Sequence, residues 1–247
     1  MDLRAVSNPA APVPASATPR LTLYCLPHAG GGAAHFHRWR AVLPDVEVVP
    51  LELPGHGGRL AEPVVTDLDE LVELLVGELS AAPFALLGHS FGALAAYELA
   101  RRARAAGNPP AVLIVCGRNG PDTPPVESRL HTLPDDELLA RLRRLGGIPD
   151  EVAGQADLLR LYLPAIRADL AMAHEHRGAA GPALDIPVAA FGARDDVLTE
   201  PRLLAAWARQ TTGPFELTLL PGSHFFLHAP AFVAALRDRL GRLPAAA

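Results

Sequence analysis

Residues 84–107, FALLGHSFGALAAYELARRARAAG, pass from a continuous apolar stretch directly into an amphipathic one, with a serine between two glycines at the join. FALLGHS (84–90) has the length and composition of a buried strand, and FGALAAYELARRARAAG (91–107) has the period of a helix ending on glycine. No spacer separates the two, so the chain must reverse in one tight turn centred on Ser90. A buried strand feeding a helix in this way belongs to a parallel sheet, whose neighbouring strands need crossovers to join them. The chain has only six serines, and chance would place Gly-x-Ser-x-Gly in such a composition roughly 0.04 times.

The rest of the chain repeats this alternation. Strands are predicted at LTLYCLP (21–27), VEVVPLELPG (46–55), AVLIVCGR (111–118), PVAAFGA (187–193) and FELTLLPG (215–222). Helices are predicted at 33–43, at TDLDELVELLVGEL (66–79) with acidic residues in its first turn, around 203–210, and from Pro230 to about Leu240. The expected architecture is α/β, a mostly parallel sheet with helices on both faces. Residues 120–183 break the pattern, with helical stretches at 134–146 and 157–176 and no convincing strand. An all-helical insertion between strands of a parallel sheet commonly lies over the strand ends, where ligands bind, so it is read as a helical lid. Residues 1–19, rich in Ala and Pro, are expected to be a disordered leader, and residues 20–243 the domain itself.

Composition removes several classes of chemistry. All 22 basic residues are arginine, which excludes lysine Schiff bases, pyridoxal catalysis and a P-loop lysine. A net charge of −5 gives no electrostatic basis for nucleic acid or an anionic membrane as the main partner. No Cys/His group has zinc spacing, no metal or other cofactor is expected, and Cys25 and Cys116 read as buried thiols at strand ends. No apolar run reaches the ~20 residues of a membrane span, and the leader lacks a signal-peptide core, so a cytoplasmic monomer is expected.

A serine exposed on a strand-to-helix turn is a nucleophile only if a base and an orienting acid reach it. On a sheet of this kind the partners follow in the order Ser, Asp or Glu, His. Asp195 and Asp196 follow the strand at 187–193, and His224 follows the strand at 215–222. All three groups therefore fall at C-terminal strand ends, on one edge of the sheet. Either aspartate satisfies the order. His228 competes with His224 but lies in the next helical stretch, and His89 beside the serine reads as structural. The oxyanion of a tetrahedral intermediate needs two N–H donors: Phe91, next to the serine, and Ala29 in the Gly-rich loop PHAGGGAAHF (27–36).

The stretches PHAGGGA (27–33), LPGHGGRL (53–60), GHSFGALAAYELARR (88–102), LPAIRADLAM (163–172) and LPGSHFFLH (220–228) carry a resemblance. The chain resembles the type II thioesterases that accompany polyketide and nonribosomal peptide synthases, members of the α/β-hydrolase superfamily. The resemblance implies hydrolysis of acyl thioesters on the phosphopantetheine arm of acyl or peptidyl carrier proteins, clearing stalled units. It implies nucleophile Ser90, base His224, oxyanion donors Ala29 and Phe91, and, eleven residues before Trp207, the acid Asp196. Val197 stands where proline usually follows that aspartate, Phe91 where methionine is usual, and His56 and Gly58 where arginine and glutamate are usual. Arg141, Arg143 and Arg144 are candidates to meet an acidic carrier protein. The alternatives on the same fold are a small-molecule esterase or lactonase, a non-catalytic carrier-binding module, and transfer of the acyl group to an acceptor other than water.

Overall fold

Strands form where the apolar runs were expected, each somewhat shorter than its run. The computed structural model describes residues 19–80, 83–123, 126, 129–148, 155–176, 178 and 181–243. The leader expected over 1–19 thus lies, all but Pro19, outside the described residues. Six strands, β1 (Leu21–Leu26), β2 (Val46–Pro50), β3 (Phe84–His89), β4 (Val112–Cys116), β5 (Val188–Ala193) and β6 (Phe215–Leu220), make one sheet in the order β2-β1-β3-β4-β5-β6. Every adjacent pair is parallel. The second strand stops at Pro50, which has no N–H to continue a ladder, and 51–55 is loop.

Side chains alternate across the sheet with period two and divide the interior into two cores. Tyr24, Leu26, Leu86, Leu113, Val115, Val188 and Ala190 face one side. There they meet helices α1 (Leu68–Val76) and α2 (Phe91–Ala105). Leu23, Cys25, Leu87, Ile114, Cys116 and Phe191 face the other, under Phe36, Trp39 and the C-terminal helix. Asp67 caps α1 by accepting the Glu70 N–H at 2.9 Å. Both cysteines are free and buried, and burial raises their thiol pKa values. No helix among the described residues is long and apolar enough to cross a membrane.

Two expected helices come out differently. The stretch 33–43 is a 3₁₀ turn (Ala33–Phe36) followed by a single α turn (Trp39–Val42). Gly32 offers no side-chain cap, and the segment is held by burial of Phe36 and Trp39. The stretch around 203–210 begins at Pro201 as one α turn and tightens to 3₁₀ over Ala205–Gln210, directing the Trp207 Nε1–H onto the Arg118 carbonyl at 2.7 Å. Between β4 and β5 the chain forms α3 (Asp135–Arg144) and α4 (Ala156–Glu175), with no strand among the described residues up to 183. These helices close a small third core of Leu138, Leu139, Ile148, Leu159, Leu163 and Ile166. The chain ends in α5 (Pro230–Gly241).

Candidate active site

The turn at Ser90 carries a backbone conformation that L-residues avoid, φ 55° and ψ −115°. Such a residue stores ~1–3 kcal/mol and persists only where its surroundings dictate it. Here the Ser90 N–H donates to the Cys116 carbonyl at 2.8 Å, and the Ser90 carbonyl accepts from Ala93 N–H at 3.1 Å. The two flanking glycines are required by contact. A Cβ on Gly88 would lie 2.0 Å from the Gly92 carbonyl oxygen. One on Gly92 would lie 2.3 Å from the Leu26 and Pro27 carbonyl oxygens. The helix start therefore packs directly on the end of β1, which brings Phe91 beside the loop that carries Ala29. The Phe91 N–H sits at the first position of α2, where no carbonyl one turn back can accept it.

These contacts are with backbone, which cannot move aside. Gly88→Ala is expected to destabilise the protein by more than ~4 kcal/mol, or to prevent its folding. Gly107→Ala, at positive φ (80°) but with nothing within 4 Å, should cost only ~1–2 kcal/mol. Urea unfolding of the two variants checks the difference.

His224 and Asp196 are both buried and joined, Nδ1 to Oδ2, at 2.9 Å. The carboxylate accepts twice more, from Leu198 N–H at 2.8 Å and Thr199 Oγ1–H at 3.0 Å. Asp195 points to solvent, so of the two candidate acids it is Asp196 that meets the imidazole. With Nδ1 committed to the carboxylate, Nε2 is the ring nitrogen left for a substrate-side proton. His224 shares with Ser90 a cavity of about 90 Å³, walled by Gly117, Arg118 and, from α4, Leu170 and Ala173. The Arg118 guanidinium donates to the Ala173 carbonyl at 3.1 Å, and burial lowers its pKa to about 10. A larger open cavity, about 550 Å³, lies between α1, α2 and the end of α4 and contains none of the candidate residues.

Beneath His224 lies a group of histidines that spacing did not foretell. His89 donates Nε2–H to the His224 carbonyl at 2.9 Å, with the two rings 4.9 Å apart. Burial, and then the neighbouring histidines, hold its pKa well below the ordinary value, so the ring stays neutral. Burial likewise takes His28 down to about 3 and His35 to about 4. His28, His35 and His89 each bring one ring nitrogen to within 4.8 Å of the others. Among the described residues no carboxylate or thiolate joins them to offset a divalent charge, so the group is read as packing beneath the catalytic edge. His228 stacks edge-on to His35 at 4.6 Å and takes no part in the His224–Asp196 contact.

The loops around the site are fastened by residues that the sequence reading missed. Glu52 accepts from Ala33 N–H at 2.8 Å and Gly58 N–H at 3.2 Å, tying the Gly-rich loop to the second loop. His56 meets Asp169 of α4 at 2.9 Å, and the same carboxylate oxygen accepts the Gly30 N–H at 2.8 Å. Arg143 and Arg144 are exposed at the end of α3, and Arg141 is half-buried.

The parallel six-stranded sheet, with a strained serine at the end of its third strand and a buried His–Asp pair at the ends of the last two, defines an α/β-hydrolase. Residues 21–240 match the model of the thioesterase domain, and the chain belongs to that thioesterase family. It is 38% identical over 214 residues to the gramicidin S biosynthesis protein GrsT of Aneurinibacillus migulanus, covering 85% of this chain and 84% of that one. Among solved structures it is similar to RedJ, the thioesterase of the prodiginine pathway in Streptomyces coelicolor (38% identity, TM-score 0.84, 98% of this chain, 91% of that one). It is also similar to BorB, the type II thioesterase of the borrelidin cluster (38% identity, TM-score 0.82, 94% and 95%). The chain is a hydrolase of the type II thioesterase group found with nonribosomal peptide and polyketide synthases.

Proposed function

We propose that the chain hydrolyses acyl thioesters carried on the phosphopantetheine arm of acyl or peptidyl carrier proteins, using Ser90, His224 and Asp196. The observation that carries this reading is that the positive-φ Ser90 and His224, the latter held by buried Asp196, line one cavity under α4. Ser90 Oγ attacks the thioester carbonyl carbon while His224 Nε2 takes the hydroxyl proton. The amides of Ala29 and Phe91 receive the developing oxyanion, each donor contributing about 3 kcal/mol to the transition state. The C–S bond breaks, the pantetheine sulfur takes the proton from His224, and the acyl group remains as an ester on Ser90. Water, giving its proton to the same nitrogen, attacks the ester carbonyl; the acyl C–Oγ bond then breaks, Ser90 Oγ takes the proton back from His224, and the acid leaves. Asp196 keeps the ring in the tautomer with Nε2 free and stabilises the imidazolium formed in each half-reaction. The helices α3 and α4 serve as a lid, and α4 walls the cavity that receives the acyl group through Leu170 and Ala173.

The test is the intact mass of a carrier protein loaded with short acyl groups, incubated with the enzyme. Loss of the acyl mass with wild type and not with Ser90→Ala supports the proposal. Persistence of the acyl-carrier alongside rapid cleavage of free esters would replace it with a small-molecule esterase.

A further inference from the structure

We propose that His56 and Asp169 form a proton-dependent positioning pair that fixes the oxyanion loop beneath α4, so that turnover declines once the pair loses its proton. The inference rests on the role proposed for the Ala29 amide.

The proton follows from the partners. His56 Nδ1 lies 3.0 Å from the Pro54 carbonyl, which can only accept, so Nδ1 carries a hydrogen. Nε2 lies 2.9 Å from Asp169 Oδ2, an oxygen already accepting the Gly30 N–H at 2.8 Å. Both contacts of the ring are hydrogen bonds only while the pair holds one proton more than a neutral ring and a carboxylate, as imidazolium with carboxylate or as neutral ring with carboxylic acid. The two side chains are 2% and 1% exposed, so neither charge has solvent to replace its partner. From the elements packed around them, the Glu52 carboxylate and the His28 ring also face His56. Glu52 favours the charged ring, and neutral His28 leaves it unopposed. Burial works against the charged ring, yet the Asp169 hydrogen bond and charge outweigh it and the His56 pKa is raised above 6.5. Burial raises the Asp169 pKa in turn, consistent with one proton held tightly between the two.

The pair reaches the chemistry through Gly30. That residue adopts φ +72°, and a Cβ on it would lie 2.3 Å from Ile166 Cγ1, so α4 rests on the loop backbone with no space between. Ala29 is the next residue. When α4 shifts, the loop must shift with it, and displacements of ~1 Å at reacting groups can cost ~100-fold in rate. The direction with pH is fixed. Below the raised His56 pKa the proton is held and the loop is pinned. As pH rises through that pKa, Nε2 presents a lone pair to a carboxylate and the pin is lost.

The full-length wild type, His56→Arg, His56→Gln and Asp169→Ala are compared on a butyryl N-acetylcysteamine thioester across the alkaline range. His56 ring titration is followed in parallel by 15N-detected NMR. Wild-type kcat/KM is expected to fall ~10-fold or more along an alkaline limb. That limb should be displaced upward by at least one pH unit in His56→Arg, whose charge does not titrate there. His56→Gln should be slow and flat over the same range. Asp169→Ala should lower the His56 ring midpoint by at least one unit. An alkaline limb identical in wild type and in whichever His56 variant folds overturns the proposal, as does a wild-type midpoint at or below the ordinary ~6.5. If wild type cleaves no thioester, the functional reading fails, and the NMR midpoint still decides whether the pair holds its proton.

Discussion

Ser90→Ala is expected to fold normally and to lose about 10⁴- to 10⁶-fold in kcat/KM toward any acyl thioester, because no other group can accept the acyl chain. The more informative companion is Ser90→Gly. Both variants remove the hydroxyl, but alanine keeps the Cβ that makes φ 55° unfavourable, whereas glycine adopts it readily. Ser90→Gly should therefore be as inactive as Ser90→Ala yet more stable than it by about 1 kcal/mol, after the larger unfolded-state entropy of glycine is subtracted. Thermal unfolding of the pair separates the energy stored in the turn from the chemistry it serves. Equal stabilities would mean that the turn holds its shape without strain.

Asp196→Asn should lower kcat by about 10⁴-fold, since an amide can orient the ring in the wrong tautomer and cannot stabilise its charged form. Asn also fails to accept all three of the hydrogen bonds that Asp196 receives, so a loss of ~1–3 kcal/mol in stability should accompany it. Asp195→Asn, one residue away on the exposed side of the same turn, should change kcat by less than about twofold. Steady-state kinetics on the two variants distinguishes the acids directly. Comparable losses in both would remove Asp196 from the role proposed for it.

The contrast between those neighbours shows where sequence alone reaches its limit. The sheet was legible because buried parallel strands leave unbroken apolar runs, and the turn at Ser90 because Gly88 and Gly92 stand where a Cβ would strike backbone. The order Ser, Asp, His was legible because each residue follows a strand. Which of two adjacent aspartates turns inward depends on the geometry of the loop after β5; strand order leaves the choice open, and it was the resemblance, through the distance to Trp207, that pointed to Asp196. The His56–Asp169 contact joins residues 113 apart, and it appears only once α4 is laid across the second loop. Histidine standing at position 56 where arginine is usual was the one signal available, and it names no partner. The segment 33–43 fits a helical period through Phe36 and Trp39, but two anchors and an uncapped glycine do not sustain a nucleus that costs several ordered residues per hydrogen bond.

The helix α4 belongs to two cores at once. Leu159 and Leu163 in its first half and Ile166 just past its middle belong to the small third core, Ile166 also lying against Gly30, while Met172 and Ala173 near its end are built into the core under the sheet. Pro164 falls inside the first half, where its missing N–H removes a hydrogen bond from the helix. The helix is thus anchored at one end in the core under the sheet and at the other in a cluster of six buried side chains. Asp169 lies between the two. Asp169, whose carboxylate accepts the Gly30 N–H, thus stands where the helix passes from the one core to the other, so the hold on the Gly-rich loop depends on both.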